Sequence, residues 1–271
     1  MKYFFLLLLW AIFPAHAQKG AYAFYDYNSH TYIVGYNHKD VRSIASITKL
    51  FTANTIIHSG VDLDEKIKVN GRSNGRVPAG SYISRIDLLR AMIISSDNRA
   101  AETLANHHPG GFKKFIDDVN IYNDEHSLFD TKIVDSTGLL PGTVSTARDL
   151  VEFVHQITNN TIIRNIAKEK EAVINVPKGK RTVTINFRNT NPDIFVYDNV
   201  LISKTGFTSP AGRCVLMLVE KDKMLYTVVV LGQSNTMSRS RVVGDLLSIE
   251  FPKEPEPKIN SIITYDFTFP I

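Results

Sequence analysis

Hydrophobic and polar positions change their spacing three times along this chain of 271 residues. Aromatic and β-branched side chains first alternate in two short segments, 21–27 and 31–36, which predict the strands of an antiparallel hairpin. From Ser43 the apolar side chains recur every three to four residues, so we expect a largely buried helix that ends at Gly60. Ser46 then lies near the start of this helix.

The middle of the chain keeps the helical spacing. The segment 84–87 has the form of a capping box, and the apolar residues after it predict a second helix that ends near Ser95. Pro109 and Gly111 interrupt the pattern, and Thr146 has the position of a new helix cap. Further helices are predicted over residues 99–107, 112–124 and 146–158.

Strand-like patterns return in the last third of the chain. Short segments of alternating or continuous apolar residues are bounded by polar turns. Strands are predicted over residues 182–187, 200–203, 213–219 and 225–231. A final helix is predicted from 238 to 249, and the prolines that begin at Pro252 prevent its continuation.

Strands at both ends of the chain with helices between them predict an α+β fold. Both ends would contribute to one antiparallel sheet, and a helical lobe of about residues 43–170 would be inserted between them. Because the two ends share the sheet, we expect one structural unit with two lobes over residues 18–251. A cleft between the sheet and the lobe is the expected site.

The first 17 residues have the pattern of a secretory signal peptide. An apolar run from Phe4 to Phe13 is followed by a small-residue cleavage site that ends at Ala17. The run is shorter than the ~20 residues of a membrane-spanning helix, so we expect cleavage after Ala17. The C-terminal tail, residues 252–271, lacks the helical period of an amphipathic anchor, and no membrane anchor is expected after cleavage.

Composition and charge argue against several kinds of protein. The chain has 44% hydrophobic and 21% charged residues, which is typical of a globular protein. Its net charge of +4 is not concentrated in a basic stripe, so nucleic acid is a poor candidate partner. Cys214 is the only cysteine, and its apolar neighbours predict a buried, unreactive thiol. Adjacent His107 and His108 lack metal-ligand spacing and predict a surface turn, so neither a metal nor another cofactor is expected.

Candidate chemistry lies in three short motifs. They are Ser46-Ile47-Thr48-Lys49, Ser96-Asp97-Asn98 and Lys204-Thr205-Gly206. Residues three apart on a helix share a face, so Lys49 can reach Ser46 and, when desolvated, act as the base for this nucleophile. Repulsion from Lys204 could lower the pKa of Lys49 further.

Each motif alone also has a structural interpretation. The first pattern should occur by chance about once in a chain of this length. Ser96 or Asn98 could simply cap a helix. In the catalytic interpretation, Ser96 relays a proton, whereas Asn98 bonds a substrate amide and Lys49. The set and order of the three motifs match the S-x-x-K, S-D-N and K-T-G signature of serine acyl-transfer enzymes, which favours catalysis.

The third motif is predicted at the end of a buried strand. Lys204 and Thr205 would face the cleft and meet a substrate carboxylate. Gly206 would remove a side chain where an extended peptide could pair with the strand edge.

The motifs and their flanking residues resemble the low-molecular-mass penicillin-binding proteins, the serine D-alanyl-D-alanine peptidases. The segments that most resemble the endopeptidase branch of this family are 96–101, 107–111, 145–150 and 187–191. The resemblance implies a β-lactamase/transpeptidase-like fold, a periplasmic location, peptidoglycan peptides as substrates and β-lactams as covalent inhibitors. A D-alanyl-D-alanine carboxypeptidase is an alternative because it would use the same residues. A non-catalytic penicillin- or wall-binding module is a more distant one.

The resemblance also implies a mechanism. Ser46 would attack the carbonyl of D-alanine in a peptidoglycan cross-link, Lys49 would be the base, and water would hydrolyse the acyl-enzyme. The backbone N–H groups of Ser46 and Phe207 would hold the oxyanion. Class A β-lactamases activate water with a glutamate, which the segment 135–139 does not offer, so slow release of β-lactams is implied.

Three side chains are implied to receive the substrate carboxylate or to lie around it. They are Thr205, Thr208 and Arg239. For Arg239, a solvated position at the start of a helix is the alternative.

Overall fold

The computed structural model describes residues 20–178 and 181–249. The strands are β1 (Ala21–Asp26), β2 (Thr31–Tyr36), β3 (Arg42–Ser43), β4 (Lys66–Lys68), β5 (Tyr82–Ser84), β6 (Val144–Ser145), β7 (Glu171–Lys178), β8 (Arg181–Arg188), β9 (Val200–Thr208), β10 (Gly212–Lys221) and β11 (Met224–Gln233). The α-helices are α1 (Thr48–His58), α2 (Arg85–Ile94), α3 (Asn98–Asn106), α4 (Gly111–Glu125), α5 (Ala147–Ile157), α6 (Thr161–Ala167) and α7 (Thr236–Leu247). The predicted signal peptide and the tail 252–271 lie outside the described residues.

Five strands from the two ends of the chain form one antiparallel sheet in the order β2-β1-β11-β10-β9. β1 pairs with β11 along its whole length, from Ala21 opposite Leu231 to Asp26 opposite Tyr226. The predicted α+β fold, with a sheet made by both chain ends, is therefore confirmed. β9 forms one edge of this sheet, and its outer side pairs with no other strand of the described residues.

Alternate side chains of the sheet enter two hydrophobic cores. Leu216 and Val229 point towards the helices inserted between β2 and β7. Met217 and Val228, their neighbours along the strands, pack on the opposite face with Val242 of α7. The central strands are thus covered on both faces, which explains why β10 and β11 are almost continuously apolar.

Helix α1 runs through the centre of the inserted helices. Nine of its eleven residues are buried, including the polar Thr52 and Asn54. The rings of Phe51 and Phe153 stack with centroids 3.7 Å apart and join α1 to α5. Ser46 and Lys49, at the start of this helix, therefore lie on a rigid support.

Helix caps follow the sequence signals. Ser84 Oγ accepts the N–H of Asp87 at the start of α2, as the capping box predicts. Thr146 Oγ1 accepts the N–H of Asp149 and caps α5. Among the described residues, none of the helices is both long and apolar enough to cross a bilayer.

Five strands, β3 to β7, were not predicted from the sequence, and β7 is the longest of them. β7 pairs with β8 in a separate two-stranded sheet, so the strand predicted at 182–187 does not join the main sheet. Ala172, Ile174 and Val176 alternate along β7 and are buried. The period-two signal was present, but Pro177 and charged residues at both ends weakened it. Helix α6 was also missed, because seven residues give too few turns for a clear helical period.

Candidate active site

The first motif lies where a 3₁₀ turn, Ala45–Ile47, runs into α1. Lys49 Nζ donates to Ser46 Oγ at 2.8 Å, so the three-residue spacing brings the amine to the hydroxyl as predicted. Lys49 is completely buried, and burial lowers its pKa from the ordinary value of 10.5 to about 7. A large fraction of Lys49 is therefore neutral near pH 7, and a neutral amine can accept the proton of Ser46.

Two further acceptors hold Lys49 Nζ. It donates to Asn98 Oδ1 at 2.7 Å, the contact predicted between the first and second motifs. It also donates to the backbone carbonyl of Thr137 at 2.9 Å, which the sequence did not predict. Nearby acids, of which Asp135 acts most strongly, raise the pKa of Lys49 but do not outweigh burial.

The segment 135–139 is shaped by the carboxylate of Asp135. This carboxylate accepts hydrogen bonds from Thr137 Oγ1 at 2.5 Å, from the N–H of Leu139 at 3.0 Å and from Thr143 Oγ1 at 2.6 Å. Gly138 has φ +79°, and a Cβ there would lie 1.9 Å from the carbonyl oxygen of Ala45. The glycine therefore lets this segment pack directly against the turn that carries Ser46.

The second motif lies between α2 and α3, and its three residues have separate positions. Asp97, and not Ser96 or Asn98, caps α3 by accepting the N–H of Ala100 at 2.9 Å. Its other carboxylate oxygen accepts the N–H of Val77 at 3.1 Å and anchors the loop between β4 and β5. Asn98 is thereby free to bind Lys49.

Ser96 has the left-handed φ of +59° at this junction. Its side chain is half-buried and makes no hydrogen bond with the residues that the structure describes. The proton relay through Ser96 stays a prediction.

The third motif lies on the edge strand β9, beside Ser46. Lys204 is buried, and its Nζ donates to the carbonyl of Thr205 at 2.8 Å. Burial, followed by repulsion from Lys49 and Arg239, holds the pKa of Lys204 well below its ordinary value. The sequence predicted that repulsion from Lys204 could lower the pKa of Lys49. Burial instead accounts for the lowered pKa of Lys49, and the repulsion between the two amines lowers the pKa of Lys204.

The structure shows a packing reason for glycine at position 206 that the sequence did not predict. A Cβ at this position would lie 2.7 Å from the backbone nitrogen of Ser46 and 2.9 Å from Ala45 Cβ. The missing side chain lets β9 pass against the Ser46 turn, and its predicted role towards a substrate peptide stays a prediction.

The residues on either side of Gly206 differ in their exposure and in their contacts. Thr205 is 7% exposed, and its hydroxyl oxygen lies 2.7 Å from that of Thr190. Phe207 is 49% exposed and stacks with the guanidinium of Arg213, 3.9 Å from the ring centre. Thr208 Oγ1 accepts the N–H of Ala211 at 3.2 Å within the turn to β10.

Arg239 belongs to α7 and is only 2% exposed. Its Nη2 donates to Asn191 Oδ1 at 3.2 Å and lies 3.6 Å from Asp193 Oδ2. Asn191 Nδ2 in turn donates to Ser203 Oγ of β9 at 2.8 Å. The solvated alternative for Arg239 is wrong, and these contacts connect its guanidinium to β9 through Asn191 and Ser203.

Two predictions outside the motifs have opposite outcomes. Cys214 is fully buried, so its predicted burial is confirmed, and burial raises its pKa to about 11, which disfavours the thiolate. The surface turn predicted at His107 and His108 is wrong for His108, which is 5% exposed and packs against Phe115. Across the described ranges, no cluster of His, Cys, Asp and Glu is arranged to hold a metal ion.

A groove of about 470 Å³ opens beside the segment 135–140. It borders Thr137, whose carbonyl binds Lys49, and it also reaches Glu102 of α3. Three apolar side chains on its walls are exposed: Phe112, Leu139 and Leu140. The groove therefore lies between α3, the start of α4 and the segment 135–140.

Known proteins resemble this chain over most of its length. The D-alanyl-D-alanine endopeptidase of Escherichia coli (strain K12) is 39% identical over 190 residues, which cover 67% of this chain and 61% of that protein. The D-alanyl-D-alanine endopeptidase of Pseudomonas aeruginosa is 35% identical over 216 residues, 76% of this chain and 68% of that protein. The match thus spans less than two thirds of the Escherichia coli relative.

The fold also matches a solved structure. The crystal structure of the Streptomyces K15 DD-transpeptidase has a TM-score of 0.80 at 21% identity, over 86% of this chain and 97% of that one. This likeness confirms the predicted β-lactamase/transpeptidase-like fold. A family model described as D-alanyl-D-alanine carboxypeptidase, Peptidase S11, matches residues 13–235. The chain therefore belongs to the Peptidase S11 family, the D-alanyl-D-alanine carboxypeptidase family of serine peptidases.

Proposed function

We propose that this chain hydrolyses D-alanyl bonds in peptidoglycan cross-links through an acyl-enzyme on Ser46. The observation that carries the proposal is the contact of Lys49 Nζ with both Ser46 Oγ and Asn98 Oδ1, at 2.8 and 2.7 Å. A buried amine with a pKa of about 7 is suited to activate a serine hydroxyl.

In the acylation step, Lys49 takes the proton of Ser46 as Oγ bonds to the carbonyl carbon of D-alanine. The C–N bond then breaks, and the leaving amine receives a proton, by way of Ser96 in this proposal. Water next attacks the ester, which releases the acid and regenerates Ser46. Neither step needs a metal or a redox cofactor.

The oxyanion of each step would accept the backbone N–H groups of Ser46 and Phe207. Support comes from the close approach at Gly206, whose absent Cβ would lie 2.7 Å from the nitrogen of Ser46. Because Phe207 follows Gly206 directly, the two N–H groups belong to adjoining segments. Such fixed donors stabilise a tetrahedral oxyanion without reorganisation.

An extended peptide substrate would lie along the free edge of β9 by strand addition. Lys204, Thr205 and Thr208 would then surround its carboxylate, and the buried charge of Arg239 would add to the positive potential around it. A cross-link carries peptide on both sides of the cleaved bond, and the groove that Thr137 borders offers space away from β9. This space and the names of the two relatives favour endopeptidase over carboxypeptidase action.

A periplasmic location belongs to the same proposal. It is supported by the signal-like pattern of residues 1–17, and we propose cleavage after Ala17.

Covalent labelling by a fluorescent penicillin tests the acyl-enzyme. We expect the wild-type protein to be labelled and Ser46→Ala to remain unlabelled. Ser59→Ala is the matched control, because its hydroxyl only bonds a carbonyl at the end of α1 and labelling should persist. An unlabelled wild-type protein would favour the non-catalytic wall-binding alternative.

Purified muropeptides separate the two peptidase activities. We expect cross-linked dimers to disappear without release of free D-alanine from pentapeptide monomers. Release of D-alanine from monomers, with intact dimers, would establish the carboxypeptidase instead. Ser46→Ala should abolish either reaction and so excludes a contaminating hydrolase.

A further inference from the structure

Thr190 is an exposed residue on a tightly anchored stretch of backbone. Its N–H donates to the carbonyl of Ile94, at the end of α2, at 3.0 Å. Its two neighbours, Asn189 and Asn191, are buried. The side chain of Asn189 donates to the backbone carbonyl of Glu169 at 2.9 Å. The side chain of Asn191 binds Ser203 and Arg239. The position of Thr190 is therefore fixed from both sides, although the residue is exposed.

The hydroxyl of Thr190 points at the third motif. Its Oγ1 lies 2.7 Å from Oγ1 of Thr205, which is otherwise buried. Thr190 thus links the end of α2, which leads into the second motif, to the strand that carries the third. Because the side chain of threonine has few rotamers, this contact is maintained at little entropic cost.

A threonine hydroxyl has one proton to donate and two lone pairs. If Thr205 donates to a carboxylate, it can still accept from Thr190, and the two hydroxyls then form a chain that ends on the anion. Each hydrogen bond in such a chain polarises the next one. Without the hydroxyl of Thr190, Thr205 would lose the donor that sets its direction.

We propose that Thr190 is a positioning residue for carboxylate recognition, because it orients the hydroxyl of Thr205 towards the substrate. This inference rests on the proposed function, in which Thr205 meets the carboxylate. It assigns to the segment 187–191 a role that resemblance to the endopeptidase branch does not supply.

The test is a double-mutant cycle between Thr190 and the carboxylate. Second-order acylation rates are measured with benzylpenicillin and with its methyl ester, for wild type, Thr190→Val and Thr190→Ser. We expect Thr190→Val to slow acylation by benzylpenicillin about three- to tenfold, the size of one hydrogen bond, and to leave the ester within about twofold. Thr190→Ser, which keeps the hydroxyl, should restore the wild-type ratio of the two rates.

Thr184→Val is the matched control. Thr184 lies on β8, and its hydroxyl bonds the exposed Asn175, so neither rate should change. Equal slowing of both compounds by Thr190→Val, or no slowing, would overturn the inference while leaving Ser46 acylation intact. A wild-type protein that benzylpenicillin does not acylate would overturn the proposed function as well. If the valine variant does not fold, Thr190→Ala enters the same cycle.

Discussion

Lys49 joins three parts of the chain that are far apart in sequence. Its amine contacts the 3₁₀ turn through Ser46, the second motif through Asn98 and the segment 135–139 through Thr137. Complete burial removes water as a competing partner and disfavours the charged form. One side chain thus holds the hydroxyl of the proposed nucleophile and has the pKa of a base that works near neutral pH.

The rate of penicillin acylation should rise with pH and level off above about 7. Lys49 accepts the proton only when neutral, and its pKa is lowered from 10.5 to about 7. Below that pH the protonated fraction grows, so the rate should fall about tenfold per pH unit. Stopped-flow measurements of acylation between pH 5 and 9 record this rising limb of the pH–rate profile. A flat profile would contradict the role of Lys49 as the base.

Lys49→Ala should lose this limb and acylate about 10²–10⁴-fold more slowly. Lys113→Ala is the control, because Lys113 is exposed and pairs only with Asp117 on α4. It should keep both the rate and the limb.

Local spacing made part of the site predictable. Ser46 and Lys49 are three residues apart on one helical turn, so their contact needs no knowledge of the fold. Thr137 supplies only a backbone carbonyl, 88 residues away from Lys49, and a carbonyl has no signature in residue type. The burial of Arg239 was equally inaccessible, because it depends on how α7 packs against β10 and β11.

Close backbone contacts between elements give the site its shape. The segment 135–139 and strand β9 both touch the 3₁₀ turn, and a glycine stands at each contact. At Gly138 the contact is with the oxygen of Ala45, and at Gly206 it is with the nitrogen of Ser46. These contacts involve backbone atoms, which cannot move aside as a flexible side chain could.

Gly138→Ala should destabilise the protein more than Gly60→Ala. Both glycines have positive φ, +79° and +72°, so each substitution should cost about 1–2 kcal/mol in backbone strain. Nothing lies within 4 Å of a Cβ at Gly60, whereas one at Gly138 would meet Ala45 O at 1.9 Å. We expect a total loss of about 3 kcal/mol or more for Gly138→Ala.

Urea unfolding measures the two losses of stability, and penicillin acylation shows whether the site is displaced. Only Gly138→Ala should slow acylation. Equal losses for the two variants would mean that the segment 135–139 yields without strain.

At the element scale, prediction succeeded where a pattern was long or capped. Helices α2 and α5 were found from Ser84 and Thr146, which do cap them. β7 was missed although its buried residues alternate. The pairing of β1 with β11 followed only from the order of elements, since nothing in either strand specifies its partner.

The whole molecule is organised around strands that are protected to different degrees. β11 pairs with β1 on one side and β10 on the other, and both of its faces are covered. β7 and β8 pair only with each other, and Val173 is 52% exposed. Local opening should therefore be much easier in the two-stranded sheet than in the centre of the five-stranded one.

Hydrogen–deuterium exchange measured by mass spectrometry should show this difference. Peptides from β11 should exchange about a hundredfold or more slowly than peptides from β7, because opening β11 disrupts both cores. Exchange at equal rates would indicate that the whole fold opens as one cooperative unit.

The register between β1 and β11 has a consequence in time. The paired residues are about 200 positions apart, so the early hairpin has no central partner until nearly all of the described chain has been synthesised. At about 5–20 residues per second, that wait is about 10–40 s. Throughout this interval the apolar residues of β1, from Ala21 to Tyr25, are open to aggregation or to capture by a chaperone.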